Sequence, residues 1–585
     1  MFFRTLVLFA FLQAAAACSN IVVTPEISAD SSSMVAYNAD SASLFGCLYH
    51  YAASTNAPGT MRDVYNWDTG AYLGQIKEAE TTYNVVGNIN EYGLIIGETT
   101  YGGLAELQEQ SKAKMDYGSH IWVTLQRSRT AREAVQTLGS LMAEYGWASE
   151  GESFSIADPQ EAWIMEIIGK GEYELGAVWV ARKIPKGFVT AHANQARITT
   201  FPLNDPENVL YSPDVISFAK KYGFYPQSGA DEDFSFSDTY NPITFEGARL
   251  CDARVWSFFG DIMGQDWANQ YLDYAQGYNL TNRMPLWVQP PNKISLDNVF
   301  QHMRNHYEGT ALDMTGNSFS DVGAAFGYMA QRAHPLTWEA SAPEDPTKTA
   351  EYLHERPIAT PQTGWNFVGQ SRRWMPRELS GLLWFGVDDS STTAHFPIYG
   401  SATSVPASYA GKGPQDGVTP PVMFFNMQSA FTIFNLVANW AYSRWDVIYP
   451  ELKANIVAVE SQFQSVIHEL DQLAVNKYNS EGPAAAVALV TEQCTNFGNS
   501  LVMQWNELFG KLFMKYRDGY IIEVDDSNQA CGCAPGNAPY SAQWNDRIVK
   551  DTGSHYRIPD ESQMVRGSKA TSARSASKLK LLARR

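Results

Sequence analysis

Ala14-Ala15-Ala16-Ala17-Cys18-Ser19-Asn20-Ile21-Val22-Val23-Thr24-Pro25 is the stretch from which the rest of the chain is read. Before it stand Met1-Phe2-Phe3-Arg4 and an apolar run over residues 5–12. A basic start, a short apolar run and small residues at the last and third-last positions are the order of a secretory leader. The expectation is a leader of residues 1–17 and an exported chain whose first residue is Cys18. The apolar run is too short to cross a bilayer, which takes about 20 residues. No later run reaches that length, so no stable membrane insertion is expected. A lipid-anchored Cys18 is a weaker competitor, because Ala15 stands where such leaders carry leucine.

After Cys18 comes a β-branched run stopped by Pro25, then turn-like Ala29-Asp30-Ser31-Ser32-Ser33, then a second strand, Met34-Val35-Ala36-Tyr37-Asn38. An antiparallel hairpin centred near Ala29 sets position 18 opposite position 40 and brings Asp40 beside Cys18. Further strands are expected over 83–88, 93–98, 153–158, 162–168, 177–182 and 187–191. Helices are expected over 118–145, 296–306, 423–445 and 451–478, from apolar spacings of three and four. Grouped strands with intervening helices predict layered α+β rather than regular βαβ alternation. No clean linker interrupts residues 18–530, which read as one large unit. An extension over 531–585 ends, from about Ser568, in a basic tail without helical periodicity.

Composition narrows the function classes. At 585 residues and 45% hydrophobic the chain has ample material for a large core. A formal net charge of −19 argues against nucleic acid or an anionic membrane as partner; a homo-oligomer stays open. Apart from Cys18 the cysteines are Cys47, Cys251, Cys494, Cys531 and Cys533, an odd set, so at least one stays a thiol or pairs between chains. Cys531-Gly532-Cys533 could bind metal or pair with Cys494, and without a second C-x-C or a nearby histidine a structural role is the favoured reading. Asn279-Leu280-Thr281 is a glycosylation sequon for a eukaryotic source.

A cysteine at the head of a processed chain carries a thiol and a free α-amine on one residue. The amine, with an ordinary pKa of about 7.7–8.0, can take the thiol's proton near neutral pH. The chemistry also needs a polar group to orient the amine, a place Asp40 fits, and donors for the oxyanion. A disulfide cysteine is the competing reading on spacing alone. His302 and His306 have a zinc-binding spacing, but Met303-Arg304-Asn305 between them lacks the metalloprotease glutamate, and no metal is expected. His192, two residues before Asn194, is a pocket or packing residue. There is no G-x-S-x-G elbow, phosphate-binding glycine loop or dinucleotide fingerprint.

Several strings, in order, resemble the dipeptidase A family of Ntn cysteine peptidases, relatives of penicillin V acylases and bile salt hydrolases. They are Cys18-Ser19-Asn20, Asn38-Ala39-Asp40-Ser41, Asn90-Glu91-Tyr92-Gly93-Leu94, Gly97-Glu98-Thr99-Thr100, Ala193-Asn194-Gln195-Ala196-Arg197, Arg283-Met284-Pro285-Leu286-Trp287, Tyr307-Glu308-Gly309-Thr310, Gln370-Ser371-Arg372 and Pro397-Ile398-Tyr399. The resemblance implies a four-layer αββα Ntn sandwich with helical C-terminal additions. It implies hydrolysis of dipeptides without metal or organic cofactor. Cys18 would be nucleophile and base, Asp40 would orient the amine and Asn194 would supply an oxyanion donor. The family's late arginine falls on Arg249, with Arg254 as second choice. Two positions depart from the pattern. Tyr37 stands where the family carries an arginine, and Thr99 and Thr100 stand where bile salt hydrolases carry a second asparagine. Alternatives on the same scaffold are an amidohydrolase of other N-acyl bonds and a secernin-like protein without turnover.

Overall fold

Ser19–Val23 (β1) and Ser33–Asp40 (β2) pair antiparallel, with Ser19 opposite Asn38 and Val23 opposite Met34. The hairpin is as expected, but its register is one residue away. Continued by one step, it sets Cys18 opposite Ala39 rather than Asp40. The cause lies outside the turn. β1 and β2 are each bonded on their far side to another strand, and Ala29 of the loop donates its N–H to Ile294 O at 2.8 Å. Register is therefore fixed by three neighbours rather than by turn symmetry.

This computed structural model describes residues 18–41, 44–315, 336–411, 425–524, 533–537, 539–540, 542–560 and 562. The expected leader, Cys531 and the basic tail lie outside the described residues.

The strands that position the site are Ile95–Gly102 (β3), Gly151–Ala157 (β4), Ala162–Gly169 (β5), Ala177–Lys183 (β6), Val189–His192 (β7), Thr363–Ser371 (β8), Gly381–Val387 (β9) and Phe396–Tyr399 (β10). A seven-stranded sheet runs Trp287–Val288, β7, β1, β2, β8, β9, β10. A nine-stranded sheet runs Val209–Tyr211, β6, β5, β4, β3 and then four short strands. The two sheets meet where β1 and β2 face β3 and β4. Glycines allow the approach: a Cβ on Gly97 would lie 2.8 Å from Asn20 Nδ2, and one on Gly369 would lie 2.9 Å from Ile95 Cδ1.

Helices Tyr117–Leu125 (α1) and Ala131–Tyr145 (α2) pack on the nine-stranded sheet. Ala253–Met263 (α3) and Leu296–Met303 (α4) pack on the seven-stranded one. Ala430–Ser443 (α5), Trp445–Glu481 (α6) and Pro483–Tyr516 (α7) cover its β9–β10 end. The architecture is mixed α+β, as expected.

The differences from expectation have local causes. The helix expected over 118–145 is two helices, because Thr130 caps a new start by accepting from Glu133 N at 3.2 Å. The strand expected over 83–88 shrinks to Val85–Val86. The helix expected over 296–306 ends at Met303. The three strands β8, β9 and β10 and the helix α7 were not expected. Pro397 is tolerated because β10 is an edge strand. Two of the quoted strings clamp the long helix α6. Arg372 Nη1 donates to Asp471 Oδ2 at 2.8 Å, and the Tyr399 hydroxyl donates to Asp471 Oδ1 at 2.6 Å.

Candidate active site

Cys18 sits at the head of β1, one of the most enclosed strands of the molecule, and is itself only 2% exposed. Its thiol donates towards Glu98 Oε1 at 3.5 Å and lies 3.5 Å from the Tyr37 hydroxyl, which in turn donates to the same Glu98 oxygen. Tyr37 reaches Glu98 past Gly97, where no side chain intervenes. Burial, then the negative charges of Glu98 and Asp40, push the thiol well above its ordinary pKa. Hydrogen bonds from Tyr37 and from the Asp40 backbone N–H oppose this. With a peptide nitrogen on Cys18, the surroundings thus oppose ionisation of the thiol.

Asp40 is buried, and Thr363 Oγ1 donates to its Oδ1 at 2.6 Å. Its N–H and charge reach Cys18, so the two residues are brought together despite the shifted register.

The cation of the site is Arg254. Its Nη1 donates to the Cys18 carbonyl and to Ser19 Oγ, both at 2.8 Å. Its Nη2 donates to Asn194 Oδ1 at 2.8 Å and to Ala193 O at 3.1 Å. Arg249, the first choice from the sequence, is elsewhere and pairs with Glu355, its Nε 3.0 Å from Oε2. The reason is a π-helical turn over Gly247–Asp252 just before α3. It shifts the phase between the two arginines, so that Arg254 faces inward and Arg249 does not. The positive charge thus lies on the carbonyl side of Cys18, and Tyr37 occupies the thiol side.

Asn194 has φ +64°, a left-handed conformation that asparagine tolerates better than most residues. Its Oδ1 accepts from Arg254 and its Nδ2 donates to Thr100 O, which fixes the orientation of the amide. Thr100 Oγ1 donates to Glu152 Oε1 at 2.8 Å, whereas Thr99 Oγ1 pairs with His192 Nδ1 at 3.1 Å. Both threonine hydroxyls are therefore engaged. His192 is a packing residue: its Nε2 meets Ser155 Oγ at 2.6 Å, and burial, aided by Arg197, lowers its pKa to about 3. His302 and His306 bind different carboxylates, Asp261 at 2.9 Å and Glu308 at 3.2 Å. His306 lies beyond the end of α4, so the helical spacing that suggested zinc is not realised. Cys494 is a buried free thiol whose pKa burial raises to about 12.

Sequence reasoning missed the acids. Glu98 lies within a quoted string but drew no role, and Glu152 drew no attention. Each is 1% exposed, and the two carboxyls lie close enough for each to shift the titration of the other. Burial raises the pKa of both acids, and the negative charge of Glu98 raises that of Glu152 further. The available signal was an acid inside the buried run Ile95-Ile96-Gly97-Glu98-Thr99-Thr100.

Residues 44–456 match the model of peptidase family C69. A "Probable dipeptidase" of Salmonella dublin is 25% identical over 400 residues, 66% of this chain and 81% of that protein. A "Dipeptidase A" of Lactobacillus helveticus is 22% identical over 411 residues, 70% of this chain and 74% of that one. A "Probable dipeptidase" of Latilactobacillus sakei is 22% identical over 364 residues, 62% of this chain and 63% of that protein's length. The family match begins after Cys18 and Asp40 but takes in Glu98, Glu152, Asn194 and Arg254, and on its extent this chain belongs to peptidase family C69.

Proposed function

We propose that the chain is an exported cysteine-type dipeptidase of the Ntn kind. In this reading removal of residues 1–17 turns Cys18 into both nucleophile and base. The observation that carries it is the setting of Cys18: its carbonyl is held by Arg254 while its thiol faces Tyr37 and Glu98. The names of the relatives supply the substrate class, and the two facing sheets with helices packed on each support an αββα Ntn sandwich.

The chemistry follows from the raised thiol pKa. A thiol that does not ionise by itself needs a base at hand when it attacks. The α-amine of a mature Cys18 is that base, with an ordinary pKa of about 7.7–8.0. In the full chain the same nitrogen is a peptide nitrogen and cannot accept a proton, so the uncleaved chain is inactive. Cys18 Sγ attacks the peptide carbonyl, and the amine takes the thiol proton and passes it to the leaving amine. Water then releases the acyl group from sulphur. Asp40 orients the amine, and Asn194 offers its side-chain N–H to the oxyanion.

The test begins with the intact mass of the purified mature protein, expected to start at Cys18, followed by a panel of dipeptides and N-acyl amides. A mature chain starting elsewhere removes the base and sinks the mechanism. Hydrolysis of N-acyl amides but not dipeptides overturns the substrate class. Asn194→Ala is expected to lower kcat by about 10²-fold with a smaller change in KM, as for loss of one oxyanion donor. A change in KM alone would show that Asn194 binds ground-state substrate instead.

A further inference from the structure

Glu98 and Glu152 form a buried acid pair for which the proposed mechanism has no use. Two carboxyls, each 1% exposed, are costly to keep in a core. No donor among the described residues reaches Glu98 Oε2 or Glu152 Oε2. No lysine or arginine is among the groups acting most strongly on either acid. A buried pair of acids without a basic partner, set beside a nucleophile, marks a place for a cationic ligand.

The position of Glu98 says which cation. A thiol attacks a carbonyl carbon from about 3–3.5 Å. In a peptide with a free N-terminus, the α-nitrogen is two bonds of about 1.5 Å from that carbon. The ammonium therefore falls within a few ångströms of the sulphur. Glu98 Oε1 is 3.5 Å from Cys18 Sγ, and Tyr37 holds it there. We propose that Glu98, positioned by Tyr37 and Glu152, receives the free α-ammonium of the substrate and restricts the site to peptides with an unblocked N-terminus. This rests on the dipeptidase reading and names the group that distinguishes it from N-acyl hydrolysis.

A consequence concerns activation. The Glu98 charge is one of the influences that hold the thiol up. An ammonium bound to Glu98 cancels that charge, so the thiol loses its proton more readily once a free N-terminus is in place.

The experiment uses the mature protein carrying Cys18→Ala and compares binding of alanyl-alanine with propionyl-alanine, which lacks only the amine, by calorimetry. Alanyl-alanine is expected to bind at least about 30-fold more tightly, because a site built for a polar group rejects the analogue without it. Adding Glu98→Gln should reduce the preference to less than about threefold, whereas adding Glu152→Gln should preserve it. Glu98→Asp keeps the charge but draws it back, and should give an intermediate preference; it serves if the glutamine variant does not fold. Equal binding of the two ligands, or a preference that survives at Glu98→Gln or Glu98→Asp undiminished, overturns the proposal. Preferential binding of alanyl-alanine without hydrolysis by the protein that retains Cys18 leaves Glu98 in its role and rejects the dipeptidase reading instead.

Discussion

Replacing Cys18 by serine in the mature protein is expected to lower kcat/KM for a dipeptide by at least about 10³-fold, as loss of a covalent nucleophile does. The melting temperature should hardly change, since serine fits the space and can still donate to Glu98 or Tyr37. The loss is chemical. An α-amine can also activate a hydroxyl, but a serine hydroxyl gives up its proton far less readily than a thiol and here sits in a site shaped around sulphur. A companion variant separates the two halves of the residue. A mature chain that keeps Ala17 ahead of Cys18 retains the thiol but moves the amine one residue away. It should be as inactive as the serine form. Full activity in the serine variant rejects Cys18 as nucleophile. Full activity in the chain that keeps Ala17 rejects only the amine as base and leaves the thiol in place. The acid limb of the kcat/KM profile should follow the amine, since the thiol itself is held high by burial and by its acidic neighbours.

What was legible in the sequence was local. The β1–β2 hairpin follows from a β-branched run, a proline stop and a serine-rich turn, all within about two dozen residues. Its register was not legible, because β7 and β8, which arrive much later in the chain, fix it from both sides. β8 itself gave no alternation to read. Thr363–Ser371 is buried along its whole length, and its polar members Asn366 and Gln370 are satisfied by distant partners, Asp388 O at 2.8 Å and Asp30 Oδ2 at 2.8 Å. The site divides in the same way. Cys18, Asp40 and Asn194 came from spacing and resemblance, and the structure gathers them. Arg254 stood second because the resemblance set the family's late arginine on Arg249, and the π-helical turn before α3, which brings Arg254 inward instead, leaves no trace in the sequence. Glu98 carries no reading in the sequence because its meaning depends on Tyr37 and Cys18, 61 and 80 residues away along the chain.

The largest effect on stability is expected from Glu460. It lies on α6, buried, where its Oε1 accepts from Arg304 Nη2 at 2.5 Å and from the His395 backbone N–H at 3.0 Å. The His395 ring Nδ1 meets the same oxygen at 2.6 Å, and its Nε2 faces Asn366 Oδ1. Arg304 also holds Ser390 O and Thr393 O, each at 3.1 Å. The cluster therefore bolts the long helix to the end of α4 and to the segment leading into β10. Burial alone would raise the Glu460 pKa, but Arg304 and His395 outweigh it and hold the carboxyl at about 2. A folded pKa below the unfolded value of about 4.3 means stability that is present above that value and lost as pH falls through about 2. At neutral pH the difference corresponds to about 3 kcal/mol. Glu460→Gln is expected to cost about 3–5 kcal/mol, because it leaves the Arg304 charge buried and uncompensated. Urea melts at pH 7 measure the loss, and the gap between wild type and variant should narrow as pH drops from 5 towards 2. A gap that stays constant over that range rejects ionised Glu460 as the source. The double variant Arg304→Met, Glu460→Leu removes both charges together and should be less destabilised than Glu460→Gln alone. If the two losses simply add, the pair is not coupled, and the helix is held by its apolar face against the sheet rather than by this buried ion pair.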